Sequence, residues 1–240
     1  LFRSAAGLLV TATHVPLGMQ VLTRGIVFID LAIAQIAGCG VLLADQVGFE
    51  PAGAAVQLAA LSAALAGALL LTWTERIWPD VQEAVIGVTF VLAATGSVLL
   101  LASNPHGSEH LRDLLVGQIL WVQPARLLWV AVAYGAILIL WFGARGRLGQ
   151  LGFYAMFAVA VTLSVQLVGL YLVFATLIVP PLATRRMAHR RLPAAWLLGV
   201  TAYATGLVLS TALDLPTGPV IVWVLVALAL LWYAATARRT

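Results

Sequence analysis

Lysine is absent from this sequence of 240 residues, so all 13 of its basic residues are arginine. No Schiff-base lysine, lysine general base or phosphate-binding P-loop lysine can exist, and any ATP hydrolysis that drives the protein must belong to another chain. Cysteine is almost absent too. Cys39 is the single one and lies within an apolar run, which excludes an intrachain disulfide and a thiolate metal cluster. Charged residues make up 9% of the chain, against about 25% in soluble proteins. Neither G-x-S-x-G nor H-E-x-x-H occurs, so the machinery of an intramembrane protease is missing. Low-complexity linkers and internal repeats are also lacking, which predicts one transmembrane domain over residues 1–240. The chain starts at Leu1 rather than Met and carries no cleavable signal pattern, so its true start is expected upstream.

Hydrophobic residues are abundant instead, at 62% of the chain. A chain this apolar cannot cover a globule with polar surface, and its long apolar runs recur from end to end. The fold class is therefore all-α, a polytopic helical membrane protein. An apolar stretch of about 20 residues spans a bilayer, which places segments near 5–23, 26–44, 54–73, 82–102 and 121–142. The run from Leu148 to Ala183 holds 36 residues without a charge. As one helix it would measure about 54 Å against about 30 Å of hydrocarbon, so it crosses twice, with a short return leg. Glycine permits a turn, and an amide suits an interface, so the break is expected at Gln166 to Gly169. Two further segments, near 194–212 and 219–236, flank the tight turn Asp214-Leu-Pro-Thr-Gly-Pro219. Eight to nine crossings result.

Crossing parity then puts Arg24, Arg76, Arg145, Arg147, Arg185, Arg186, Arg190, Arg191, Arg238 and Arg239 on one side, and only Arg3, Arg112 and Arg126 on the other. The arginine-rich side is the cytoplasm by the positive-inside rule. The net charge of +4 reflects topology and contact with membrane lipid, and no nucleic-acid partner is expected.

Four features do not belong in lipid. Asp30 lies about five residues beyond Arg24 in the second segment. A buried acid commonly costs about 2.5 to 3.5 kcal/mol at mid-helix, so it tends to line a pathway or to have a partner such as Arg24. His14 and Gln35 each stand about ten residues from the turn between the first two segments, where they can ligate a divalent cation or bind helix to helix. External metal capture by His106, Glu109 and His110 is a third candidate. Their H-x-x-E-H spacing occurs in zinc peptidases, but Pro105, Gly107 and Ser108 resist the helix that chemistry needs. Between Pro180 and Pro193, the cluster Arg185, Arg186, His189, Arg190 and Arg191 is expected to form a short cytoplasmic helix, either gripping anionic lipid or docking on a motor subunit.

Several stretches resemble the membrane subunit of bacterial zinc, manganese and iron ABC importers. Gln82-Glu-Ala-Val-Ile-Gly-Val-Thr-Phe90 is similar to that family's E-D-A-x-I-G-I-x-F segment, and Asp113-Leu-Leu-Val-Gly-Gln-Ile-Leu120 to its D-L-L-x-x-x-x-G-x-I-L. Val168-Gly-Leu-Tyr-Leu-Val-Phe-Ala-Thr-Leu-Ile-Val-Pro-Pro181 resembles V-G-x-L-L-V-x-A-L-L-I-x-P, and Asp214-Leu-Pro-Thr-Gly218 resembles D-L-P-T-G. The resemblance implies a non-enzymatic transport subunit in a homodimer or close heterodimer. Its implied partners are a cytoplasmic ATP-binding subunit, coupled through the segment after Pro181, and a periplasmic or lipoprotein metal-binding protein. It also implies the bacterial inner membrane, and a divalent metal ion, zinc first, as substrate rather than a resident cofactor. Asp30 matches the acid of the family's G-D-A-L-S-H-A motif. The motif's histidine is replaced by Ala34 or Gln35, according to the alignment chosen, and His14 is expected to substitute for it. A siderophore or cobalamin permease and an ion-coupled secondary carrier are the alternatives.

Overall fold

A computed structural model describes residues 2–49, 53–101, 124–144, 148–187 and 189–237. Nine α-helices occur among them: α1 (Phe2–Arg24), α2 (Ile29–Gln46), α3 (Ala54–Ile77), α4 (Gln82–Leu101), α5 (Pro124–Ala144), α6 (Gly149–Val168), α7 (Leu170–Ala183), α8 (Arg191–Leu213) and α9 (Thr217–Ala237). Among the described residues, α1, α2, α3, α5, α6, α8 and α9 contain stretches long and apolar enough to cross a membrane by length and composition. The break in the long uncharged run falls at Gly169, whose φ of 84° and ψ of 158° lie in a region open essentially to glycine alone. The return leg, α7, has 14 residues. At 1.5 Å per residue it is about 21 Å long.

The described helices divide into two compact units. In the first, α7 packs against α1, α8 and α9, and small residues set the spacing. Gly18 of α1 lies directly on the Leu177 carbonyl, so close that a Cβ has no room there. Gly7 and Gly199 pack in the same way against Tyr203 and Thr11. Proline has no N–H, so Pro180 and Pro181 deprive the Thr176 and Leu177 carbonyls of their helical donors. The hydroxyl of Thr176 is held instead by its own helix, through the Leu172 carbonyl at 2.7 Å, and by the Tyr203 hydroxyl at 2.9 Å.

In the second unit α2 lies between α3 and α4. Three contacts run in register along α2 and α4. The Phe28 N–H, just before α2, reaches Glu83 of α4; Cys39 reaches Ala93 and Ser97; and Gln46 reaches Leu100. The two helices therefore run parallel, and α3, which connects them in the chain, packs on the other side of α2. At the end where α4 begins, Gln82 is saturated. Its amide donates to the Leu71 carbonyl at 3.0 Å and to the Tyr154 hydroxyl at 3.4 Å, and its oxygen accepts from Thr74 at 3.1 Å.

Two expectations are corrected. The second segment does not become helical at residue 26. Gly25 has a φ of 72° and a turn closes from the Ile29 N–H to the Ile26 carbonyl, so α2 starts at Ile29 and Asp30 sits in its first turn. The arginine-rich cytoplasmic segment is likewise not a helix: its described residues from Thr184 to Arg190 are turns and bends. The prolines do not bracket it. Pro180 and Pro181 lie in the last turns of α7, while Pro193 occupies the first turn of α8, where a missing N–H costs nothing.

Candidate metal pathway

Asp30 is 0% exposed, and neither carboxylate oxygen has a hydrogen-bond partner among the described residues. Its position in the first turn of α2 gives it the positive end of the helix dipole, worth typically 0.3 to 1 kcal/mol. That offsets only part of the cost of a buried acid. The face it shares with Ala34 and Gly38 is buried and small, which leaves room for close approach.

His14, in α1 of the first unit, is also 0% exposed. Its Nδ1 stands 3.1 Å from the Val10 carbonyl and 3.0 Å from the Thr13 hydroxyl. A carbonyl can only accept, so Nδ1 carries the hydrogen and, in the neutral ring, Nε2 keeps its lone pair. Among the described residues Nε2 has no hydrogen-bond partner, and the ring packs 6.2 Å from that of Tyr134. This is the tautomer a metal ligand needs, with the second nitrogen fixed by the backbone. Gln35 is only half-buried. Asp30 and Gln35 belong to the second unit and His14 to the first. Among the described residues no three His, Cys, Asp or Glu side chains gather into a cage.

The arginine cluster after α7 divides by contact. Arg185, His189 and Arg190 are exposed. Arg186 stacks on the Tyr233 ring at 4.9 Å, and Arg191 Nη2 donates to the Pro181 carbonyl at 3.2 Å, tying the end of α7 to the start of α8. The three external residues His106, Glu109 and His110, like the Asp113–Leu120 segment, lie outside the described residues.

Sequence reasoning missed Glu83. Its Oε1 accepts the Phe28 N–H at 3.3 Å, while Oε2 is enclosed with no hydrogen-bond partner. An acid at the head of an apolar segment was the available signal, but it had been read only for resemblance.

Helices of this length and apolar composition define a polytopic helical membrane protein. The chain matches the ABC 3 transport family over residues 3–148 and 143–236 and belongs to it. It is accordingly a multi-pass membrane subunit of an ABC transporter of the bacterial inner membrane. A membrane protein described as part of a metal transport system in Chlamydia trachomatis is 23% identical over 233 residues, covering 85% of this chain and 78% of the relative. The PsaBC structure from Streptococcus pneumoniae shares the fold with a TM-score of 0.77 at 18% identity, covering 97% of this chain and 90% of that one. An inward-facing transporter described as of the metal-chelate ABC type gives a TM-score of 0.71 at 16% identity, covering 98% of this chain and 85% of that one.

Proposed function

We propose that the chain forms, as a single transmembrane domain and with a second copy, the membrane path through which an ABC importer passes a divalent metal ion, zinc in the first place, into the cell. The observation that carries this reading is Asp30: a fully enclosed carboxylate whose two oxygens have no hydrogen-bond partner. Such a group is retained where a cation relieves its charge. His14 supplies a nitrogen donor with a free Nε2, and Gln35 a weaker oxygen. One carboxylate with one imidazole suits zinc, with manganese and ferrous iron behind it. Power comes from a separate ATP-binding subunit docked on the exposed Arg185, His189 and Arg190, and the metal arrives on an external binding protein, with His106, Glu109 and His110 as capture points. For the two access states to alternate, the metal must bind them unequally.

Asp30→Asn keeps the size of the side chain and removes its charge. Reconstituted with ATPase and binding protein, this variant should assemble normally yet lose metal-stimulated ATP hydrolysis and radiometal uptake. Uptake at the wild-type rate would refute the role. The likeness to a metal-chelate transporter favours a second reading in which a chelated metal passes. Uptake of a labelled siderophore or cobalamin with no uptake of the bare ion would establish it.

A further inference from the structure

The parallel course of α2 and α4 brings two acids to the same end of the second unit. Asp30 is the second residue of α2 and Glu83 the second residue of α4. Glu83 is fixed at that mouth because Oε1 accepts the Phe28 N–H at 3.3 Å, two residues before Asp30. Three of their four oxygens, Asp30 Oδ1 and Oδ2 and Glu83 Oε2, are enclosed with no hydrogen-bond partner among the described residues.

The Asp30 carboxylate faces the N–H groups of Asp30 and Leu31 at the start of α2, yet among the described residues none of them reaches hydrogen-bond geometry, so its charge is left largely uncompensated. At the start of α4, Gln82 shows that such a turn can satisfy a buried polar side chain completely, since both ends of its amide are bonded. Glu83 beside it keeps one oxygen enclosed and unbonded. Two helix N-termini lower the cost of holding negative charge here, but they do not cancel the repulsion between two acids.

We propose that Asp30 and Glu83 together form a two-carboxylate site for a divalent cation at the cytoplasmic end of α2 and α4. This rests on the transport reading above and adds Glu83 to it as a second ligand. All-oxygen, anionic donors suit hard cations that keep part of their water shell. Hydration lets such a site release its ion, as the exit of a conduction path requires.

The test uses the full permease assembled with its ATPase, and Mn²⁺ as the probe, with bound metal read from the loss of the free-ion EPR signal. Glu83→Gln preserves an oxygen for the Phe28 N–H, so the helix start should persist while one ligand charge disappears. Mn²⁺ affinity is expected to fall about tenfold or more in this variant. It should fall at least as far in Asp30→Asn, and no further in the double variant, because the two groups share one ion. Glu83→Asp should recover part of the loss. Wild-type Mn²⁺ affinity in Glu83→Gln, with binding and transport lost in Asp30→Asn, overturns the paired site and leaves the transport reading standing. Wild-type binding and transport in Asp30→Asn overturns both. A Glu83→Gln loss that comes with a lower melting temperature and no recovery in Glu83→Asp also overturns the paired site.

Discussion

At the scale of single residues, two fully enclosed ionisable groups, Asp30 and His14, keep unused bonding capacity among the described residues. Asp30 offers two oxygens and His14 one nitrogen. If His14 Nε2 meets the metal, His14→Gln should raise the KM for zinc about tenfold and affect manganese less, because imidazole is the donor that favours zinc. Uptake kinetics with both metals check this, and equal shifts would make the ring a packing partner of Tyr134. Asp30 and His14 were legible in the sequence because an ionisable residue within an apolar run is conspicuous. Glu83 was not, since an acid at a segment boundary looks like a solvated end. Only the meeting of its side chain with the Phe28 N–H shows it turned inward.

At the scale of elements, the helix boundaries follow from where the backbone can turn. Gly169 should tolerate no side chain: with its φ of 84°, Gly169→Ala is expected to cost about 1 to 3 kcal/mol, seen as a lower melting temperature in detergent. Gly18→Ala should be at least as damaging, by about 1 to 3 kcal/mol, because the added Cβ would meet the Leu177 carbonyl on the backbone of α7. A melting temperature equal to that of the wild type would show that α1 and α7 can separate freely. The break at Gly169 was readable, since 36 uncharged residues are too many for one crossing. The Gly18 contact was not, because a small residue in a helix does not announce which helix it meets. The arginine-rich segment misled for a related reason: prolines were taken as helix limits, whereas both helices absorb them into their end turns.

For the whole molecule, apolar composition and the length of the apolar runs made the membrane class legible, whereas crossing parity and the arginine distribution give only an expected cytoplasmic side and the partner there comes from the family reading. Reversing the charge of Arg185 and Arg190 together should abolish co-purification of the ATPase without lowering the melting temperature, since both side chains are exposed. Arg191→Ala should instead lower the melting temperature, because it releases the Pro181 carbonyl. Retained ATPase in the charge-reversed variant would move docking elsewhere.

The short helix α7 combines two properties rarely found together. Its backbone ladder lacks the rungs that Pro180 and Pro181 would have supplied, so it is the easiest place in the first unit to flex. It is also enclosed by its neighbours except near Tyr171 and Leu182. Flexing there is shielded from the acyl chains, whereas α9, with Trp223, Leu230 and Leu231 uncovered, must adjust to the depth of hydrocarbon around it. Changing lipid tail length should therefore tilt the periphery and leave the pliant joint at the centre of that unit undisturbed.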